Sequence, residues 1–144
     1  MKSTLRTGLQ ASRRLVLDDS RVISFMGDDC RVYATPSIIY DVEWCCHDML
    51  MEHLDAGEDS VGTRVDVEHV GAALLGSEVE VTVVIEQLEG RRVRWRATVR
   101  DSDGEVLRGM HERFIVDTEK VRQRLGRKAV RSEEHTSELQ SRET

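Results

Sequence analysis

The chain is poor in aromatic residues, with two each of Trp, Tyr and Phe, and it contains one proline and three cysteines in 144 residues. No segment approaches the ~20 consecutive apolar residues that a membrane span requires. The opening residues, Met1 to Arg6, lack the apolar centre of a signal peptide, so a cytoplasmic protein without membrane contact is expected. Cys30, Cys45 and Cys46 are odd in number and have no paired metal-ligand spacing. Adjacent cysteines on a helix point about 100° apart and do not readily bridge. A metal centre is therefore not expected. A basic excess is also missing: the formal net charge is −6. Nucleic acid is thereby disfavoured as the main ligand, because phosphate backbones select basic surfaces.

What is present suits one small folded domain. Hydrophobic residues make up 39% and charged residues 33%, a balance that argues against disorder of the whole chain. A core drawn from so few residues is modest, and association with a second copy would enlarge it.

The most informative segment begins at Thr35-Pro36. A hydroxyl residue followed by proline predicts a helix start with Thr35 as cap, and the helix should continue to about Leu54. At helical spacing Ile38, Ile39, Val42, Cys46, Met49, Leu50 and Leu54 form one apolar stripe, with Asp41, Asp48 and Glu52 opposite. Glu43 falls inside the stripe. A carboxylate turned toward a core must find partners or change its protonation. Further on, Val61, Thr63, Val65, Val67 and His69 share one side of a two-residue alternation, so His69 should point where the valines point. One polar residue on an apolar face is ordinarily a satisfied core group. A carboxylate and an imidazole on neighbouring elements together suggest an acid/base site.

The remaining chain reads as strands and turns. Leu5–Leu17 suggests a first strand, and Asp18–Arg31 a polar loop. If Leu88, Glu89 and Gly90 form a three-residue hairpin loop, Val79, Val81, Val83 and Ile85 align with Val99, Ala97, Trp95 and Val93. That register also sets Glu86 beside Arg92 and Glu78 beside Arg100. Trp44 and Trp95 lie in apolar patterns and read as core. Thr118–Arg127 predicts a helix with Val121 and Leu125 inward. Residues 1–118 thus read as the domain and 119–130 as a short terminal helix. Residues 131–144 resemble the in-frame translation of a sequencing-adapter oligonucleotide and are expected to be disordered. One long helix with an antiparallel sheet built from consecutive hairpins is an α+β domain.

Several motifs in order, Val32-Tyr33-Ala34-Thr35-Pro36, Glu43-Trp44, Val61-Gly62-Thr63, Val67-Glu68-His69, Glu89-Gly90-Arg91-Arg92 and His111-Glu112-Arg113-Phe114, resemble the fluoroacetyl-CoA thioesterase-like group of hotdog-fold thioesterases. The resemblance spans roughly residues 5 to 125. It implies a hotdog fold, a sheet wrapped around a central helix, and a homodimer whose active sites lie at the subunit interface. It implies hydrolysis of an acyl-CoA thioester without a cofactor, with Thr35, Glu43 and His69 as the catalytic set. Gly62 and Arg113 fall at supporting positions, and Arg91, Arg92 and Arg113 are the nearest candidates for the CoA phosphates. Two alternatives share the fold: a non-catalytic acyl-CoA-binding module and a dehydratase acting on the acyl chain. One departure concerns the segment before the helix, where fluoroacetyl-specific members carry a longer, phenylalanine-rich lid. Here Phe25 is its only aromatic residue, so strong selection for fluorine is not expected.

Overall fold

The computed structural model describes residues 1–143, with side chains as far as Gln140. Its elements follow in the order β1 (Gln10–Val16), β2 (Val22–Ile23), β3 (Val32–Tyr33), α1 (Thr35–Met51), β4 (Glu58–His69), β5 (Glu78–Glu89), β6 (Arg92–Asp101), β7 (Gly104–Asp117) and α2 (Thr118–Glu143). Five strands form one antiparallel sheet in the order β1-β5-β6-β7-β4, and β2 and β3 make a separate two-stranded ribbon. Helix α1 packs on one face of that sheet, against β1, β5, β7 and β4.

Alternation fixes which face is covered. Val79, Val81, Val83 and Ile85 of β5 and Val93, Trp95, Ala97 and Val99 of β6 are all buried, and they meet Ile38, Val42, Cys46 and Leu50 of α1. Each fully buried aliphatic side chain contributes roughly 1.5–3 kcal/mol, so a slip of one residue in any strand would be prohibitive.

The β5–β6 hairpin reaches this arrangement by a different route from the one expected. Glu89 pairs with Arg92, so the loop is the two residues Gly90-Arg91, with Gly90 in the left-handed conformation at φ 59°. A bulge between Ile85 and Gln87 then shifts the register and sets Ile85 opposite Trp95, Val83 opposite Ala97 and Val81 opposite Val99. The extra residue, Glu86, restores the buried alternation that a tight turn alone would have broken. Glu86 pairs with Arg96 rather than Arg92, and Glu78 and Glu80 receive Arg14 from β1.

Two more expectations are corrected. Asp41, assigned to the polar face of α1, is buried, because residues 18–34 fold back over that face. Arg21 donates from Nε and Nη2 to its two oxygens at 3.1 and 3.3 Å, and the Tyr33 hydroxyl donates to it as well. The charge is thus compensated by a bidentate arginine that ties the β2–β3 ribbon to the helix. At the other end, α2 does not stop near residue 130 but runs to Glu143; residue 144 lies outside the described residues. Every side chain from Arg122 to Gln140 is exposed, Leu125 included, while Thr118 and Val121 are half-buried. Glu, Gln, Leu and Arg favour helix without any packing partner, which accounts for a continuous helix with no docked face.

His111 of β7 is a buried polar group in the core. Its Nδ1–H donates to the Arg64 carbonyl at 2.9 Å, and its ring stacks on Trp95 with centroids 6.2 Å apart. Burial pulls its pKa down from the ordinary histidine value.

Two outcomes follow for stability. Deleting residues 131–144 should leave the thermal midpoint unchanged in a melting experiment, because every described side chain in that stretch, 131–140, is exposed. The neutral His111 gives a pH dependence with a defined sign. The unfolded chain takes up a proton near pH ~6.5, whereas the folded protein resists it. Stability is therefore complete above about pH 6.5 and declines as pH falls below it. Melting curves between pH ~7 and ~5 should drop more steeply for the wild type than for His111→Asn, which has no proton to gain.

Candidate active site

Helix α1 delivers Glu43 to the floor of an open cavity of about 500 Å³, whose wall includes Pro36, Ile39, Tyr40, Trp44 and His47 from the same helix and Asp59, Ser60 and Arg113 from the sheet. The Glu43 side chain is 41% exposed and its Oε2 lies 3.7 Å from Arg113 Nη1, whose own side chain is only 8% exposed. Arg113 is held from several sides. Its Nε donates to Ser60 Oγ at 2.7 Å and its Nη2 to the Ser60 carbonyl at 3.0 Å. Nη1 also donates to His111 Nε2 at 3.2 Å. The His111 bond to Arg64 fixes that tautomer: with the proton on Nδ1, Nε2 is free to accept. Burial pulls the Arg113 pKa down and the Glu43 charge pushes back.

Gly62 completes this cluster by having no side chain. A Cβ there would stand 3.3 Å from Glu43 Oε2, 3.3 Å from His111 Cε1 and 3.4 Å from Arg113 Nη1. The glycine therefore leaves open the point on which three functional groups converge. Its orientation departs from simple alternation. A bulge between Gly62 and Arg64 places an extra residue, Thr63, in β4. Gly62, opposite Arg113, and Val65, opposite His111, consequently face the helix together, in phase with Val67 and His69. Val61 and Thr63, expected on the face of His69, are out of phase with it. Bulges of this kind re-aim side chains near functional sites.

Thr35 and His69 meet elsewhere. Thr35 is the first residue of α1, the cap position belongs to Ala34, and no side chain caps the helix. The Thr35 hydroxyl is instead 2.7 Å from His69 Nδ1. Among the described residues, His69 Nε2 has no protein partner and faces outward. Within one chain this pair is remote from Glu43. Eight helical residues separate Thr35 from Glu43, about 12 Å of rise. Seven strand residues separate Gly62 from His69, roughly 23 Å.

The other positions singled out in the sequence are placed differently. Arg91 is exposed in the β5–β6 turn, its Nη1 donating to the Ile115 carbonyl at 3.3 Å. Phe25 is 88% exposed in the turn between β2 and β3 and does not line the cavity. Trp44, read as core, is half-exposed and lines the cavity, with Tyr40 edge-on at 6.1 Å, while Trp95 is fully buried. Burial pushes the Cys46 thiol well up, so it stays protonated and unreactive. Sequence reasoning missed Ser60 and His111 as partners of Arg113, although His111 is in the quoted His-Glu-Arg-Phe stretch. It also missed the pairing of His47 Nε2 with Asp59 at 2.7 Å. Only the fold brings these residues together, and no local spacing announces them.

The chain is similar to several known proteins. The fluoroacetyl-CoA thioesterase of Streptantibioticus cattleyicolor is 29% identical over 135 residues, covering 89% of this chain and 97% of its own. A solved structure of the fluoroacetyl-CoA thioesterase FlK superposes with a TM-score of 0.79 at 28% identity, covering 88% of this chain and 98% of that one. A Thermus thermophilus protein, a thioesterase superfamily member, superposes with a TM-score of 0.83 at 27% identity, over 91% of this chain and 98% of its own. The family described as fluoroacetyl-CoA-specific thioesterase matches residues 17–119. The chain therefore belongs to the fluoroacetyl-CoA-specific thioesterase family, with the hotdog fold of that family around its central helix.

Proposed function

We propose that this protein hydrolyses the thioester of a small or medium acyl-CoA, at a site that takes Glu43 from one protomer and His69 from another. The observation carrying this reading is the convergence of Glu43, Arg113 and His111 on side-chain-free Gly62, with Glu43 and Arg113 also lining the cavity. A thioester carbonyl set there meets a carboxylate and a buried guanidinium 3.7 Å apart. Hydrolysis also needs a group that takes a proton from the attacking water and returns it to the departing thiolate. His69 is suited to that work, since Thr35 engages Nδ1 and leaves Nε2 for the reaction. Glu43 polarises the attacking water or attacks the carbonyl itself to form an anhydride, which water then opens.

The intrachain separation of Glu43 and His69 is the argument for two protomers. Strand β4 lies at the edge of the sheet, is twelve residues long and has no neighbour on its outer side. Such an edge is a template for pairing. Two copies of β4 related by a two-fold axis between Val65 and Asp66 would set Gly62 of one opposite His69 of the other. The Thr35–His69 pair of one chain then faces the Glu43–Gly62–Arg113 cluster of its mate. No described helix is long and apolar enough to cross a membrane, and we place the enzyme in the cytoplasm.

The open cavity and outward-facing Phe25 also bear on the acyl group. Discrimination by one small atom requires a closely fitted enclosure. Phe25 is turned to solvent and lies outside the cavity wall, so it supplies no such contact, which favours hydrolysis without strong preference for fluorine.

His69→Ala and Glu43→Gln should each lower kcat roughly 100-fold or more while keeping the fold, measured by release of free thiol from an acyl-CoA. Wild-type turnover in either variant would return that residue to a structural role. Mixing the two variants and allowing subunits to exchange should restore roughly a quarter of wild-type activity, because half the dimers regain one intact site. No recovery on exchange would place Glu43 and His69 in one chain. For substrate choice, kcat/KM for fluoroacetyl-CoA and acetyl-CoA should differ modestly; a ratio above roughly 10⁴ would overturn the open-cavity argument.

A further inference from the structure

Three depressions on the surface share walls in sequence. The cavity holding Glu43 shares Asp59 and Ser60 with a groove of about 300 Å³, which is lined mainly by apolar groups from β4, β7 and α2. That groove in turn shares Val116 and Val121 with a third pocket of about 270 Å³. The third pocket presents three cations, Arg91, Lys120 and Arg124, beside Phe114, whose ring is 41% exposed. The order is a carboxylate cavity, an apolar channel, then a basic pocket with an aromatic face.

We propose that the third pocket binds the nucleotide end of the CoA moiety, with the phosphates on Arg91, Lys120 and Arg124 and the adenine against Phe114. The assignment rests on the thioesterase reading and extends it to a part of the substrate that reading leaves unplaced. The chemistry of an acyl-CoA runs in the same order as the depressions. Its thioester joins a largely uncharged pantetheine arm, which leads to a diphosphate, a 3′-phosphate and an adenine. From Arg113, beside the thioester position, to Asp117 at the end of β7 is about 13 Å of strand, and Lys120 and Arg124 follow on the first turns of α2.

The charges in the pocket are available. No described carboxylate lies within salt-bridge distance of the Lys120 ammonium or the Arg124 guanidinium, whereas Arg122 of the same helix pairs with Glu119 at 3.1 Å. Arg91 donates from Nη1 to the Ile115 carbonyl at 3.3 Å and makes a long ionic contact to Glu58 at 3.7 Å, and Glu58 is engaged by the chain amino terminus. Asp117 is the one acid in the wall, and its Oδ1 accepts the Lys120 backbone N–H at 3.1 Å. In an acidic protein, a pocket with three cations and one capped acid is a local reversal of sign, as a polyanionic ligand requires. Aromatic faces accept bases of any identity by stacking. Arg113, offered earlier to the phosphates, is excluded because it is buried under Glu43.

The test combines kinetics with direct binding. In Lys120→Ala/Arg124→Ala, KM for an acyl-CoA should rise roughly tenfold or more, as expected for two lost charge-assisted contacts, with kcat within about twofold. Hydrolysis of the matching acyl-pantetheine, which has no nucleotide, should be unaffected. Lys128→Ala, a cation on α2 outside the pocket, should behave as wild type toward both. Calorimetry should show 3′,5′-ADP binding to the wild type and not to the double variant. An unchanged KM for acyl-CoA, or an equal defect with acyl-pantetheine, would overturn the assignment, as would absence of 3′,5′-ADP binding to the wild type. Failure of the wild type to release thiol from any acyl-CoA would instead refute the hydrolase reading, and the nucleotide titration would still decide the pocket.

Discussion

Arg113 is the group around which the rest of the site is built. A guanidinium removed from water is unfavourable by several kcal/mol unless hydrogen bonds and an opposite charge compensate it. Ser60 supplies two of those bonds and His111 a third. The remaining need is a negative charge, and Glu43 provides it from the helix. The glutamate that interrupts the apolar stripe of α1 thus has a structural cause as well as a chemical use. The converse holds too, since the buried guanidinium holds the Glu43 carboxylate against the opening left by Gly62. Gly62 and the Thr63 bulge belong to the same constraint, for a side chain at residue 62 would wedge apart the groups that must meet.

The same geometry keeps Glu43 and His69 of one chain apart, which is why the proposed acid/base pair draws on two chains. Helix α1 runs antiparallel to β4, so its beginning reaches His69 while its middle reaches Gly62. Helix rise and strand rise hold those two meeting points apart, and no side-chain rotation closes the gap. An exposed edge strand that is ordinarily a liability becomes the natural place for the missing half. Pairing would cover its free backbone groups and bring the two half-sites together in a single event.

How much of this was legible in the sequence depended on whether the cause was local. The α1 stripe and the anomaly at Glu43 were legible because helical periodicity is local, and so was the buried alternation of β5 and β6. The β5–β6 loop was not, because two compensating irregularities, a short turn and a bulge at Glu86, leave the same inward residues as one longer loop without a bulge. The phase of β4 failed similarly: alternation cannot show that Thr63 is an extra residue. Asp41 looked solvated on its own helix, and its burial depends on Arg21 and Tyr33 arriving from a segment with no periodic signal. Thr35 has the chemistry of a cap, and only its distance to His69 shows that its hydroxyl is used elsewhere.

The network at Asp41 also bears on selectivity. Arg21 and Tyr33 secure both ends of the segment leading into α1, whereas Phe25 and Met26, near its middle, project into solvent. Asp41 ties both ends to the helix, whereas the ion pairs of Arg31 with Asp19 and Asp28 stay within the segment, so its opening and closing motions would concentrate between residues 24 and 31. Such a tip can admit acyl groups of different size. It cannot, without further aromatic contacts, supply the rigid enclosure that distinguishes fluorine from hydrogen. On the proposed reading the reacting centre is defined by buried charge and a missing side chain, while acyl choice would be left to a surface ribbon, so that catalysis and specificity would rest on separate parts of the fold.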